Sequence, residues 1–111
     1  MSETIQATQI ARLNDAFRKT LLGGQVMLTA GVQALSELEN YEVFKAVQTF
    51  DDFSPDNDPY GEHDFGAFTV SGKKFFWKID YYDPTLTFGS EDPADPAKTR
   101  RVMTVMLAEE Y

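Results

Sequence analysis

A small α+β domain is what this chain predicts: a three- to four-stranded, mainly antiparallel sheet with two helices packed on one of its faces. Three observations carry that expectation. Apolar residues near the N-terminus recur at helical spacing, two alternating runs flank Ser71-Gly72 at hairpin distance, and a continuous apolar run, VMTVML, lies close to the C-terminus. At 111 residues the whole of 1–111 reads as one domain, long enough to bury a modest core without a metal or a disulfide.

The first helix is expected over about 3–22. Ile10, Leu13, Phe17 and Leu21 fall at three- and four-residue steps and line one face, while Gln9, Arg12, Asn14, Arg18 and Lys19 fall off that stripe. Lys19 suits the negative C-terminal pole, and Gly23-Gly24 supplies the stop. Gln25 to Thr29 reads as a short strand, with Gly31 permitting a turn beyond it. Ser36 and Glu39 have the spacing of a capping box and open a second helix over about 37–50. Val43, Phe44, Val47 and Phe50 form its inner side, and Glu42, Lys45 and Gln48 its outer side.

Pro55 and Pro59 break regularity between Asp51 and Glu62 and make that stretch a surface loop. Its DNDPYG portion, Asp56 to Gly61, imitates the opening of a calcium loop, yet Ala67 stands where the twelfth-position glutamate is required, so no metal is expected. The runs from Phe65 to Val70 and Lys73 to Tyr82 make a hairpin over about 65–82, closed by a two-residue turn. Paired residue numbers then sum to 143: Phe68 faces Phe75, Gly66 faces Trp77, and His63 falls opposite Asp80. Phe68, Val70, Phe75, Trp77, Ile79 and Tyr81 share the core side, with Trp77 over the bare Gly66. A second long connection, Asp83 to Lys98, leads to a buried strand over about 101–108.

Eighteen acidic against ten basic residues give a formal charge of −8, which repels phosphates and argues against direct nucleic-acid binding. Eleven of the acids lie in two windows that contain no Lys or Arg: Asp51 to Asp64, and Asp80 to Asp95. These windows are read either as a solvated face or as a surface for a partner. The absence of cysteine excludes disulfides, thiolate metal sites and cysteine nucleophiles. No leader and no run of about 20 apolar residues stands in the sequence, so a cytoplasmic protein without membrane contact is expected.

DNDPYGEHDFGAF (56–68), FFWKIDYYDP (75–84), LTFGSEDPADP (86–96) and MLAEEY (106–111), with LNDAFR and LTAGV nearer the start, resemble a bacterial family of short proteins of unknown function. The resemblance covers residue 8 onward. It implies no activity and no catalytic residues. It does imply genes common on plasmids and integrative elements, near conjugation and anti-restriction genes, and hence an accessory of transfer or counter-defence.

Glu62, His63 and Asp64, with Asp80 across the hairpin, form the one constellation suited to acid–base or metal-assisted chemistry. No second histidine, activated serine motif or phosphate-cradling glycine loop accompanies them, and a structural histidine that pins the loop accounts for the same residues. Strand alternation turns Phe65, Phe76 and Tyr82 to the face opposite Trp77, which is either covered by loops or offered to a partner. The leading expectation is a non-enzymatic acidic protein that blocks a nucleic-acid-binding protein such as a nuclease or guided defence complex. It would act through Asp56, Asp58, Tyr60, Glu62, Asp64, Asp83, Glu91 and Asp92, with no cofactor. The alternative is a small enzyme centred on His63.

Overall fold

The computed structural model describes the backbone of residues 2–111 and the side chains from residue 5 onward. The elements run α1 (Ser2–Thr20), β1 (Gly24–Leu28), α2 (Ala30–Gln33), α3 (Glu37–Thr49), β2 (Phe65–Val70), β3 (Lys73–Tyr82) and β4 (Arg100–Leu107). Single 3-10 turns at Pro96–Lys98 and Ala108–Glu110 flank β4. The sheet order is β1-β4-β3-β2, and only the β1–β4 pair is parallel. The fold is therefore α+β with a mostly antiparallel sheet.

The helices differ from expectation at three points. A four-residue helix, α2, occupies the place read as a turn at Gly31, and it buries Val32 completely. Helix α1 ends at Thr20, and Leu21 rather than a glycine first takes the left-handed conformation, at φ 60°. Its N–H bonds to the Phe17 carbonyl at 2.6 Å, and Thr20 Oγ1 accepts from the Leu22 N–H at 3.1 Å, so the terminus is closed before Gly23 is reached. Third, Asn14 and Arg18 lie off the apolar stripe and are nonetheless 0% and 1% exposed. A continuous apolar stripe marks what a helix buries by the hydrophobic effect alone, and it omits polar groups that find partners inside. Helix α3 starts as its sequence requires: Ser36 Oγ accepts from the Glu39 N–H at 3.1 Å.

The hairpin has the register set by its turn. Ser71 and Gly72 adopt φ 52° and 76°, the paired positive values of a tight two-residue loop, and Phe65↔Lys78, Gly66↔Trp77 and Phe68↔Phe75 pair accordingly. Trp77 is fully buried, with its indole over Gly66. Phe17, Val32, Val43, Val47, Phe75, Trp77, Ile79, Met103 and Val105 make the core between this face and the helices. Strand β4 lies between β1 and β3. Arg101, Met103 and Val105 on its core side are buried, whereas Val102 and Thr104 on the opposite face are half-buried, so the strand expected to be buried is buried through on one face only.

The opposite face carries no helix among the described residues. Phe65 and Phe76 pack at 5.1 Å between centroids, Tyr111 leans on both, and Lys78 pairs with Asp80 at 3.0 Å. No helix of the described residues is long and apolar enough to cross a membrane.

Candidate functional site

Both base-free windows leave the sheet at the same end, because β2 begins where β3 ends and where β4 begins. The first window is a loop folded on its own polar groups. Asn57 Oδ1 accepts from the Ser54 N–H at 2.8 Å, its Nδ2 donates to the Asp52 carbonyl at 2.8 Å, and the Asp58 N–H bonds to the Ser54 carbonyl at 2.8 Å. Asp58 is turned inward and accepts from the His63 N–H at 3.2 Å. The calcium-loop resemblance of Asp56 and Asp58 thus dissolves: one acid faces water and the other is buried.

The second window is built around Asp83. Its Oδ1 accepts from the Thr85 N–H at 3.1 Å, the Thr85 hydroxyl at 2.7 Å and the Thr87 N–H at 3.1 Å. Those bonds, the Thr85 hydroxyl foremost, hold the carboxyl below its ordinary range, and the turn carries Leu86 at φ 60°. Asp92 and Asp95 likewise accept from the N–H groups of Ala94 and Ala97.

A buried polar clamp ties the two loops together. Asn14 Nδ2 donates to the Glu62 carbonyl at 3.0 Å and to the Tyr81 hydroxyl at 2.8 Å, while its Oδ1 accepts from Arg101 Nε at 2.7 Å. Arg101 Nη2 reaches the Pro93 carbonyl in the second loop at 2.6 Å, and its guanidinium lies over the Tyr81 ring at 5.2 Å. The Tyr81 hydroxyl donates to Glu62 Oε1 at 2.9 Å. Desolvation pushes the Tyr81 hydroxyl far above its ordinary pKa and lowers that of Arg101, the mark of polar groups committed to one another away from water.

His63 sits beside this clamp, but not opposite Asp80. At φ 56° its backbone leaves the strand, whose last bond on this side runs from the Ile79 N–H to the Asp64 carbonyl at 2.8 Å. The ring turns to helix α1, where Nδ1 stands 3.0 Å from both Asp15 oxygens, and Nε2 lies 3.7 Å from Asp58. It stacks on Phe53 with centroids 3.8 Å apart and planes 1° from parallel. Asp15 also takes Arg18 Nη2 at 3.0 Å, and Arg18 Nη1 donates to the Val47 carbonyl at 2.8 Å beneath the Trp77 ring. Asp80 belongs to the other face of the sheet with Lys78.

Of the residues expected to meet a partner, Asp56, Tyr60 and Glu91 are exposed, Tyr60 by 80%. Glu62, Asp64, Asp83 and Asp92 are half-buried, and Asp58 is buried. Desolvation, followed by repulsion from Glu62, raises the Asp64 carboxyl. A groove of about 590 Å³ runs between Ala7 and Ile10 of α1 and the stretch Pro59 to Glu62; His63 is not part of its wall. Among the described residues no group of three His, Asp or Glu side chains is placed to hold a metal ion.

Sequence reasoning missed Asn14, Asp15, Arg18, Phe53 and Arg101. A signal existed for Arg101 alone: it shares strand parity with Met103 and Val105, and so points to the core side.

A family model described as protein of unknown function (DUF3768) matches residues 28–110. No curated protein and no solved structure matches the chain.

Proposed function

The chain belongs to this family of proteins of unknown function, and from its two clamped acidic loops we propose that it is a small interaction protein that docks on a basic surface of another protein. The observation that carries the reading is the clamp of Asn14 and Arg101, which ties together the two base-free windows that strand order brings to one end of the sheet. Asp51, Asp52 and Asp56 have no ion-pair partner among the described residues, and Tyr60 and Phe88 stand exposed in the same two loops. The carboxylates of Asp83, Asp92 and Asp95, held by backbone N–H groups, present negative charge at reduced ordering cost on association, and exposed aromatic rings supply contact area.

The surface such an end fits is one that otherwise holds nucleic-acid phosphates. A restriction enzyme, a nuclease or an RNA-guided defence complex in a bacterial cytoplasm is the partner class. The resemblance to families encoded on plasmids and integrative elements supports a counter-defence role. The site would act by occupancy and requires no cofactor.

Binding to purified complexes of that class, with duplex DNA as competitor, tests the reading. Asp56→Lys and Glu91→Lys change exposed acids, of which Glu91 makes a solvent-exposed pair with Lys98 at 3.7 Å and Asp56 makes none among the described residues. Affinity should fall with added salt, fall at least about tenfold in the double variant, and be lost to DNA competition. Binding indifferent to salt and to both reversals would sink the proposal.

A further inference from the structure

We propose that the free edge of β2 is a self-association edge, on which a second copy of this chain adds its own β2 antiparallel about a two-fold axis at Ala67. The hairpin register and the Ile79 to Asp64 bond place Gly66, Phe68 and Val70 in the hydrogen-bonded positions toward β3. Phe65, Ala67 and Thr69 therefore point their N–H and C=O groups outward. None of these groups has a hydrogen-bond partner among the described residues. Edge strands are ordinarily blunted by charge, proline or a bulge, and FGAFTV contains no charged residue, no proline and an unbroken pairing register. The other edge is protected in part: the Leu28 carbonyl of β1 accepts from Gln33 Nε2 at 2.8 Å.

Two copies satisfy one another. With Ala67 facing Ala67, Phe65 faces Thr69 of the second copy and Thr69 faces its Phe65. Each of the three facing pairs exchanges two main-chain bonds, which uses every outward donor and acceptor of both strands. The side chains agree with that register. Ala67 and Thr69 are small and exposed, and between the bonded pairs the bare Gly66 faces Phe68 of the second copy. The result is one continuous sheet across the two-fold axis.

This inference is independent of the docking proposal, and salt separates them. Each copy carries a formal −8, so screening strengthens self-association while it weakens docking on a basic partner. Sedimentation from micromolar to millimolar concentration should show the 12.5 kDa chain move to twice that mass, more readily at high salt. Ala67→Pro removes an outward N–H and leaves the β2–β3 ladder whole, and Thr69→Lys places a charge on the edge. Both variants should keep the parent's circular dichroism and lose the doubling; if Ala67→Pro fails to fold, Thr69→Lys alone decides. A parent that stays at 12.5 kDa throughout, or a doubling that survives the folded variants, overturns the proposal.

Discussion

Arg101 Nε donates to Asn14 Oδ1 at 2.7 Å across 87 positions of sequence, and this single bond joins the first helix to the start of the central strand. The Asn14 amide also serves the Glu62 carbonyl and the Tyr81 hydroxyl. Truncation therefore leaves several buried groups unpaired, one of them charged. Asn14→Ala should cost about 2–4 kcal/mol, which in a domain of this size lowers the melting temperature by roughly 10–20 °C. A thermal melt checks it, and an unchanged midpoint would mean that water replaces the amide at no cost.

His63 contributes a stacked ring and a hydrogen bond to Asp15, at a backbone φ that asparagine tolerates. His63→Asn should lower stability by about 1–3 kcal/mol in denaturant titration. In the binding assay the folded variant should match the parent, because the ring is not among the exposed residues of the acidic end. Full loss of partner binding in a stably folded His63→Asn protein would return the histidine to the functional site.

Two carboxylates should respond to pH with opposite signs. Burial raises the Asp64 carboxyl above the ordinary 3.8, so its charged form opposes folding at neutral pH. Asp64→Asn should melt higher than the parent at pH 7, the gap narrowing as pH falls through the folded pKa and closing below 3.8. Hydrogen bonds from Thr85 and Thr87 lower the Asp83 carboxyl, so it contributes stability above 3.8 that is lost as pH falls through its folded pKa. Asp83→Asn should melt lower than the parent at pH 7 and converge with it in acid. Melts of both variants across pH 2–8 test the pair, and shifts of like sign would contradict it.

Two glycines of the hairpin separate packing from backbone geometry. A Cβ at Gly66 would collide with the Trp77 indole and stand 2.8 Å from Phe50 Cζ, whereas one at Gly72 meets nothing within 4 Å and is opposed only by φ 76°. Gly66→Val should cost about 3 kcal/mol or more and Gly72→Val about 1–2 kcal/mol. Equal losses in side-by-side unfolding would show that Trp77 has room to move.

The sequence by itself determined what local chemistry controls. Period-two alternation and a two-residue turn fixed the hairpin register and set Trp77 over Gly66, and the Ser36–Glu39 spacing started α3. The apolar run of β4 marked a strand in the interior of the sheet, although its Val102 and Thr104 are only half-buried, and the two acidic windows could be counted directly. Tertiary structure alone decided which groups those elements meet. Asn14 and Arg18 are polar and lie off the apolar stripe, so helical periodicity sends them to water. They are buried because the Glu62 and Val47 carbonyls, 48 and 29 positions away, accept their N–H groups. His63 found Asp15 rather than Asp80 for a related reason. A strand register holds only while the backbone stays extended, and at φ 56° the chain has already turned toward the helix. Packing also brought the two acidic windows to one end, since strand order, which no local pattern encodes, places the start of β2 beside the end of β3 and the start of β4.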